Sequence, residues 1–198
     1  MTRRLAALTL ASTVALSLSA CVSFGSKVPP FLLTLDATAT PEVGVSRTAT
    51  EAEALTILIP TAPQKLRTQR IPVQQDDNSV TYVKDAQWVE APQRLFQHLI
   101  SDTVAARGNR LVLDEGQYLT APGEQLAGQL LEFGVDARTN EAVVVYQAML
   151  VSSAGKTVTQ RRFEAREPLA SVEPIMVGAA LSSGANKVAG EIAAWLGG

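Results

Sequence analysis

Cysteine and histidine are almost absent from this chain of 198 residues. Cys21 is the only cysteine and His98 is the only histidine. One cysteine cannot form an intramolecular disulfide, and one residue of each type cannot supply the His/Cys ligands of an ordinary zinc site. The sequence therefore predicts a fold held together by packing, with no metal and no cofactor.

An excess of positive charge is also missing. The chain has 17 Lys and Arg residues against 19 Asp and Glu residues, for a net charge of −2. Proteins that bind nucleic acid usually present a basic patch or stripe to the phosphate backbone. The composition argues against nucleic acid as a partner.

The only long apolar run lies at the N-terminus. It follows Arg3 and Arg4, covers about 16 residues and ends in Leu-Ser-Ala-Cys at Cys21. A membrane-spanning helix needs roughly 20 apolar residues. A basic start, a short apolar stretch and small residues before a cysteine are typical of a bacterial lipoprotein signal. We predict cleavage between Ala20 and Cys21, although an ordinary secretory signal and an uncleaved anchor are the alternatives.

Lipidation at Cys21 would place the protein on a membrane. The cysteine would carry a thioether-linked diacylglycerol and an acylated amine, and two or more acyl chains hold a protein stably. Val22 and Ser23 follow, and neither is the aspartate that the usual sorting rule associates with inner-membrane retention. The expected organisation is a signal peptide over 1–20, a lipidated tether over 21–30 and one periplasmic domain over 31–198, at the periplasmic face of the outer membrane.

Short apolar segments dominate the first half of that domain. Strands are predicted over 31–35, over 55–59 and from Val80 toward Trp88. The segment 61–75 contains Pro63 and Pro72, which favours a short helical turn followed by an edge strand. A helix is predicted from Pro92 to about Arg107, with Gly108 as its C-terminal cap. Its apolar residues recur with a helical period on one face: Leu95, Phe96, Leu99, Ile100 and Val104.

The second half predicts a three-strand meander. Leu131, Phe133, Val135 and Ala137 alternate with Glu132, Gly134, Asp136 and Arg138, which indicates a strand with one buried face. Short turns at 139–141 and 154–155 then lead to an apolar central strand over 142–151 and a polar strand over 157–167. A helix capped by Ser171 and running to about Leu196 completes the chain, with core positions Leu181, Ala185, Val188, Ile192 and Trp195. The predicted fold class is α+β, a mostly antiparallel sheet with two amphipathic helices packed on it.

Several of these segments together resemble a known family. The lipoprotein signal, the early strand over 31–35, the strand leading to Pro63 with Leu66 and Arg70 after it, and Trp88-Val-Glu-Ala-Pro92 are similar to the ABC-type transport auxiliary lipoproteins. The resemblance spans about residues 30–196. The chain departs from the family at 66–68, where Leu-Arg-Thr stands in place of the more usual Leu-Asp-Arg.

The resemblance implies an accessory role in transport. Members of this family are thought to act beside MCE (mammalian cell entry) proteins and an inner-membrane ABC transporter, in lipid movement between the two membranes. It therefore implies a non-enzymatic lipoprotein that docks to these components. A structural or assembly lipoprotein of another cell-envelope complex is the alternative.

Few residues qualify as a chemical site. His98, Ser101 and Asp102 could be assembled into a periplasmic hydrolase, but the helical stripe places His98 and Asp102 off the buried face, and no nucleophile motif is present. Glu115, Glu124 and Glu132 have no spacing that supports acid–base catalysis. We predict no catalytic residue.

Two features remain as candidate partner contacts. Trp88 precedes a helix and is either a core residue or a contact for a partner or lipid. Arg161, Arg162 and Arg166 on the polar strand could meet an acidic partner or lipid phosphate, or simply form a solvated face.

Overall fold

The computed structural model describes residues 29–50, 52–108, 110–115, 123–153, 155 and 157–197. Ala20, Cys21, the signal segment and most of the tether lie outside the described residues. The described elements are seven strands, two α-helices and one short 3-10 helix. In chain order they are β1 (Leu55–Ile57), the 3-10 helix (Gln64–Leu66), β2 (Arg70–Gln74), β3 (Val80–Gln87), α1 (Pro92–Arg107), β4 (Val112–Asp114), β5 (Glu124–Asp136), β6 (Glu141–Val151), β7 (Val158–Pro168) and α2 (Pro174–Trp195).

Strand β5 organises the sheet. On one side it pairs antiparallel with β6, and β6 pairs antiparallel with β7, which confirms the meander. On its other side β5 pairs in parallel with β1 near its start and with β2 near its end. Strand β4 then adds in parallel to β1, and β3 adds antiparallel to β2. The longest ladders are antiparallel, as expected for this α+β fold, whereas the short N-terminal strands join in parallel.

Helix α1 has the predicted bounds and buries the predicted stripe. Helix α2 begins at Pro174, after Glu173, and has no side-chain cap, so the prediction that Ser171 caps this helix is wrong. Proline is well suited to the first helical position because the N–H that it lacks would have no partner within the helix. Both helices pack on one face of the sheet.

The predicted edge strand over part of 61–75 is not at an edge. Strand β2 lies between β3 and β5. Its proline is tolerated because the pairing with β5 starts only at Val73, and the ladder with β3 is irregular between Arg70 and Pro72. Pro72 therefore occupies a position where β2 does not need its N–H group.

The apolar run over 31–35 also differs from the prediction. It forms a single bridge, between Leu33 and Trp88, instead of a strand. Strand β3 ends at Gln87 and α1 begins at Pro92, so little extended chain is left for the run to pair with. Leu35 is buried, but Phe31 and Leu32 are exposed.

A bulge in β5 changes which of its residues are buried. The register with β6 shifts between Leu130 and Glu132. Leu130 and Phe133 are therefore both fully buried, while Leu131, predicted to be in the core, is only half-buried. Bulges of this kind insert one residue and re-aim the side chains that follow.

Aromatic side chains form the centre of the core. The ring of Phe133 lies 5.5 Å from Trp88 and 6.3 Å from Phe96, and Phe96 lies 5.4 Å from Tyr146 in an edge-to-face arrangement. Burial raises the pKa of the Tyr146 phenol, whose hydroxyl donates to the Ala127 carbonyl at 2.9 Å. No helix among the described residues is long and apolar enough to cross a membrane.

Candidate functional site

The sheet has one face that the helices do not cover. Gly184 of α2 lies directly over Val144 and Ala165, which places that side of β6 and β7 under the helix. Because side chains alternate along a strand, Val143, Val145 and the residues paired with them point to the opposite face. The register places Glu132, Val145 and Glu164 in one row on that face, and Gly134, Val143 and Arg166 in the next.

A polar cavity of about 450 Å³ lies on this face, and we call it the charged groove. It is lined by residues of β2, β5, β6 and β7 together with the 3-10 helix and two turns. These are Lys65, Pro72, Gln74, Asp77, Glu132, Gly134, Val135, Asp136, Arg138, Val143 and Arg166. Strands β2 and β5 approach each other closely in this groove, because a Cβ atom at Gly134 would lie 2.4 Å from the carbonyl oxygen of Pro72.

Every cation of the charged groove has a carboxylate partner. Lys65 Nζ lies 2.6 Å from Glu132 Oε2. Arg138 reaches both Asp136, at 3.0 Å, and Asp77, at 2.7 Å. The groove therefore presents alternating charges rather than a surface of one sign.

The β7 edge of the groove carries a second set of ion pairs. Arg166 Nε donates to Glu164 Oε1 at 2.8 Å, and Arg166 Nη1 donates to Glu141 Oε2 at 3.1 Å. Arg162 approaches the other oxygen of Glu164, at 3.4 Å. These contacts span β6 and β7 and hold the two arginines over the sheet.

The ion pairs shift the pKa values of the side chains that form them. The hydrogen bond from the Arg138 side chain holds the pKa of Asp136 below its ordinary value, and the same contact raises the pKa of Arg138. The hydrogen bond from Arg166 likewise lowers the pKa of Glu164. Both carboxylates are therefore ionised at neutral pH, and their ionised forms stabilise the folded state.

We predict a loss of stability in acid from these two carboxylates. Their pKa values are lower in the folded than in the unfolded chain, so the stability that they contribute is present above the unfolded values, about 3.9 for Asp and 4.3 for Glu, and is lost as the pH falls below them. The Asp136→Asn and Glu164→Gln double variant should show a shallower fall in the free energy of unfolding between pH 5 and 3, measured by urea titration. An unchanged slope would contradict the prediction. Asp36→Asn, which removes an exposed carboxylate outside the charged groove, is the control variant.

The candidate arginines separate in the structure. Arg162 and Arg166 lie on the face of the charged groove, but Arg161 lies on the other face, with its guanidinium 5.0 Å from the ring centroid of Phe163. Within the described ranges Arg161 forms no ion pair. The sequence prediction grouped all three, and the alternation of β7 divides them.

Trp88 is a core residue. Its side chain is completely buried, and its ring packs on Phe133. The alternative that it contacts a partner or lipid is wrong for this structure, because none of its surface is accessible. Its indole Nε1 has no hydrogen-bond partner in the described part of the chain.

The residues of the hydrolase alternative do not converge. His98 and Asp102 are exposed, whereas Ser101 is buried and donates to Asp114 Oδ1 at 3.1 Å. Gln97 donates to the same oxygen at 2.8 Å, so the Ser101 hydroxyl belongs to a structural link between α1 and β4. Although Asp102 is exposed, partial desolvation of its carboxyl raises its pKa, and the nearby His98 opposes that shift.

The carboxylates considered for catalysis are also apart. Glu124 pairs with Arg110 at 2.7 Å, and Glu132 pairs with Lys65 on another part of β5. In the part of the chain that the structure describes, no three His, Cys, Asp or Glu side chains gather closely enough to hold a metal ion.

The sequence predicts part of the charged groove. The alternation of Glu132, Gly134, Asp136 and Arg138 indicated a wet strand face, but not that this face forms a groove. Lys65 reaches Glu132 from a 3-10 helix that is 67 residues away in the chain, and no local pattern signals that approach.

Comparison with known proteins identifies solved structures with a similar fold. No curated protein matches the sequence. A crystal structure of a Xanthomonas campestris protein of the DUF330 family is similar, with a TM-score of 0.67 at 19% identity, over 84% of this chain and 94% of that one. A second solved structure, of an uncharacterized protein, has a TM-score of 0.64 at 12% identity, over 76% of this chain and 96% of that one. At these identities the likeness shows the fold alone.

A family model matches most of the chain. It covers residues 33–193, and with them every strand and all but the end of α2. The matched region begins at Leu33, the residue that bridges to Trp88, and so coincides with the folded domain. The chain belongs to the family of ABC-type transport auxiliary lipoprotein components.

Proposed function

We propose that this protein is a non-enzymatic lipoprotein, anchored in the outer membrane, that docks its periplasmic domain to other components of an ABC/MCE-type lipid transport system. Membership of the auxiliary lipoprotein family over residues 33–193 carries the proposal. The cysteine at position 21, which ends a lipoprotein-type signal only a few residues before this region, supports the membrane anchor.

The first described segment of the chain is hydrogen-bonded to the rest of the domain. The Thr38 backbone N–H donates to Asn186 Oδ1 at 2.8 Å, and Asn186 Nδ2 donates to the Asp36 carbonyl at 3.0 Å. Farther along, Arg47 donates to the Ala105 carbonyl at the end of α1. The segment that leaves the tether is thus tied to both helices, so an anchor at Cys21 would hold the domain itself and not a loose arm.

Docking is best supported at β7 and the charged groove. Among the described residues β7 pairs with β6 alone, so its outer edge keeps backbone groups that a partner strand could pair with. The first five residues of this strand are exposed. Arg162 and Arg166 beside this edge can exchange a carboxylate of this chain for one of a partner, and such charge complementarity gives a docking surface its specificity.

The docking proposal is tested with a pair of neighbouring arginines. In the Arg162→Ala and Arg166→Ala double variant we expect crosslinked recovery of an MCE protein or an ABC transporter subunit to fall at least fivefold, because the charges on the groove face are lost. Arg161→Ala removes an adjacent arginine from the opposite face and should leave recovery unchanged. Equal recovery from both variants would contradict docking at this surface, and recovery of a different envelope complex from the unaltered protein would favour the assembly-lipoprotein alternative.

The anchor is tested separately with Cys21→Ser. A serine cannot form the thioether, so the processed membrane-bound form should be lost and the protein should leave the outer-membrane fraction on density-gradient separation. Cys21 is the only cysteine, so no other thiol can take its place. Retention of the variant in the outer membrane would contradict the lipid anchor.

A further inference from the structure

Exposed apolar side chains lie on three segments that meet at Leu33. Large hydrophobic residues that are between 38% and 68% exposed come from these three segments. We call this set the exit patch. It consists of Phe31, Leu32, Val89, Val172, Ile175 and Met176.

Contacts of Leu33 bring the three segments together. Its backbone N–H donates to the Gln87 carbonyl at 2.8 Å, and its carbonyl accepts from the Val89 N–H at 2.9 Å. Its side chain lies against α2, since a Cβ atom at Gly178 would be 2.8 Å from Leu33 Cδ2. Ile175 is one helical turn before Gly178 and so lies on the same side of α2.

The exit patch adjoins the point where the chain leaves the domain. Phe31 and Leu32 follow Pro29 and Pro30, the first described residues. Pro29 is eight positions after Cys21 in the sequence. A chain of that length spans at most about 29 Å at full extension. If Cys21 is lipidated, Pro29 stays within that distance of the membrane, and Phe31 and Leu32 follow it directly in the chain.

The charges around the patch have both signs. Glu90 follows Val89, and Glu173 lies between Val172 and Pro174, whereas Arg70 and Lys84 line one pocket with Pro29. The carboxylates would repel an anionic surface and the two cations would attract it, so the proposal rests on the apolar side chains and not on charge. Exposed apolar groups can instead enter the boundary between headgroups and acyl chains, to a depth of about 5–10 Å.

We propose that the exit patch rests on, and partly inserts into, the bilayer that holds the acyl chains of Cys21. This inference rests on the proposed lipid anchor and adds to it a fixed orientation of the domain. Exposed apolar side chains on neighbouring segments favour an interaction surface. The short distance in the chain from Cys21 supports the membrane as what covers them.

The single cysteine makes a direct test practical. In the mature lipoprotein the Cys21 sulfur is consumed by the thioether, so Ile175→Cys has one free thiol, which can carry an environment-sensitive fluorophore. The full lipidated protein is reconstituted in phosphatidylethanolamine-rich vesicles that contain brominated lipid. Val158→Cys is the matched control. Val158 is also an exposed apolar residue, but it lies on β7, which forms the opposite edge of the sheet from β3.

We expect brominated lipid to quench the fluorophore at position 175 at least threefold more than at position 158, with no change in 1 M salt. Leu32→Cys should behave like Ile175→Cys and provides a second reporter. Equal quenching at 175 and 158 in protein that floats with the vesicles would overturn this inference and leave the anchor standing. Quenching at 175 that a captured protein partner abolishes would also overturn it, because the patch would then be a protein-binding site. Failure of the protein to float would overturn the anchor and the inference with it.

Discussion

Trp88→Ala should destabilise the domain by about 3–5 kcal/mol, the usual cost of truncating a fully buried large aromatic residue. The indole is completely inaccessible and lies against Phe133, at the start of the ring contacts that continue through Phe96 to Tyr146. Its backbone also links segments, since the Trp88 N–H donates to the Gln69 carbonyl at 2.8 Å. A loss of this size is a large fraction of the 5–15 kcal/mol that stabilises a typical domain. Urea unfolding followed by circular dichroism measures it.

Two matched variants separate packing from other effects. Trp195→Ala removes the other tryptophan, which is only half-buried against Phe163, and should cost clearly less. Trp88→Phe keeps an aromatic ring and removes the indole N–H that has no partner among the described residues, so it should cost less than half as much as Trp88→Ala. If Trp88→Ala unfolded at the same urea concentration as the unaltered protein, the core assignment of Trp88 would be wrong.

Gly134→Ala should also be strongly destabilising, with a cost of about 3 kcal/mol. The added Cβ would lie 2.4 Å from the Pro72 carbonyl oxygen and 2.8 Å from Pro72 Cγ. The first of these atoms belongs to the backbone, so relief requires β2 to move away from β5, and overpacking of this kind typically costs 1–3 kcal/mol. The midpoint of urea unfolding should fall without a change in the slope.

Gly184→Ala is the control for this glycine. The nearest atom to a Cβ there is Val144 Cγ2 at 3.4 Å, which is close to ordinary contact. Alanine is preferred to glycine inside a helix by roughly 0.5–1 kcal/mol, so this variant should be as stable as the unaltered protein or slightly more stable. If Gly134→Ala were equally well tolerated, the close approach of β2 to β5 would not constrain the sheet.

The sequence predicted helix α1 and the meander well because their signals are local. A proline start, a basic last turn and a clean apolar stripe define α1, and short turns between long strands define β5, β6 and β7. The parallel pairing of β1 and β2 with β5 was not predictable in this way. It depends on contacts between segments more than 60 residues apart, such as Val73 with Val135, and no local pattern records them.

The candidate site shows the same division. The three arginines of β7 are clustered in the sequence, but period-two alternation separates Arg161 from Arg162, and the adjacent strand β6 supplies Glu141 as a partner for Arg166. Lys65 and the Pro72 carbonyl reach the charged groove from segments whose own pattern pointed to a sheet edge. Pro72 predicted a sheet edge, but the interrupted ladder that accommodates it lies inside the sheet.

The hydrogen-bonded contact between Thr38 and Asn186, which we call the clamp, has a consequence for the order of events during synthesis. Its two residues are 148 positions apart, and Asn186 lies in the last helix of the chain. The clamp can therefore close only after nearly the whole polypeptide has been made and has emerged. The segment around Thr38 is among the earlier parts of the protein to appear, yet it is among the last to be fixed in place.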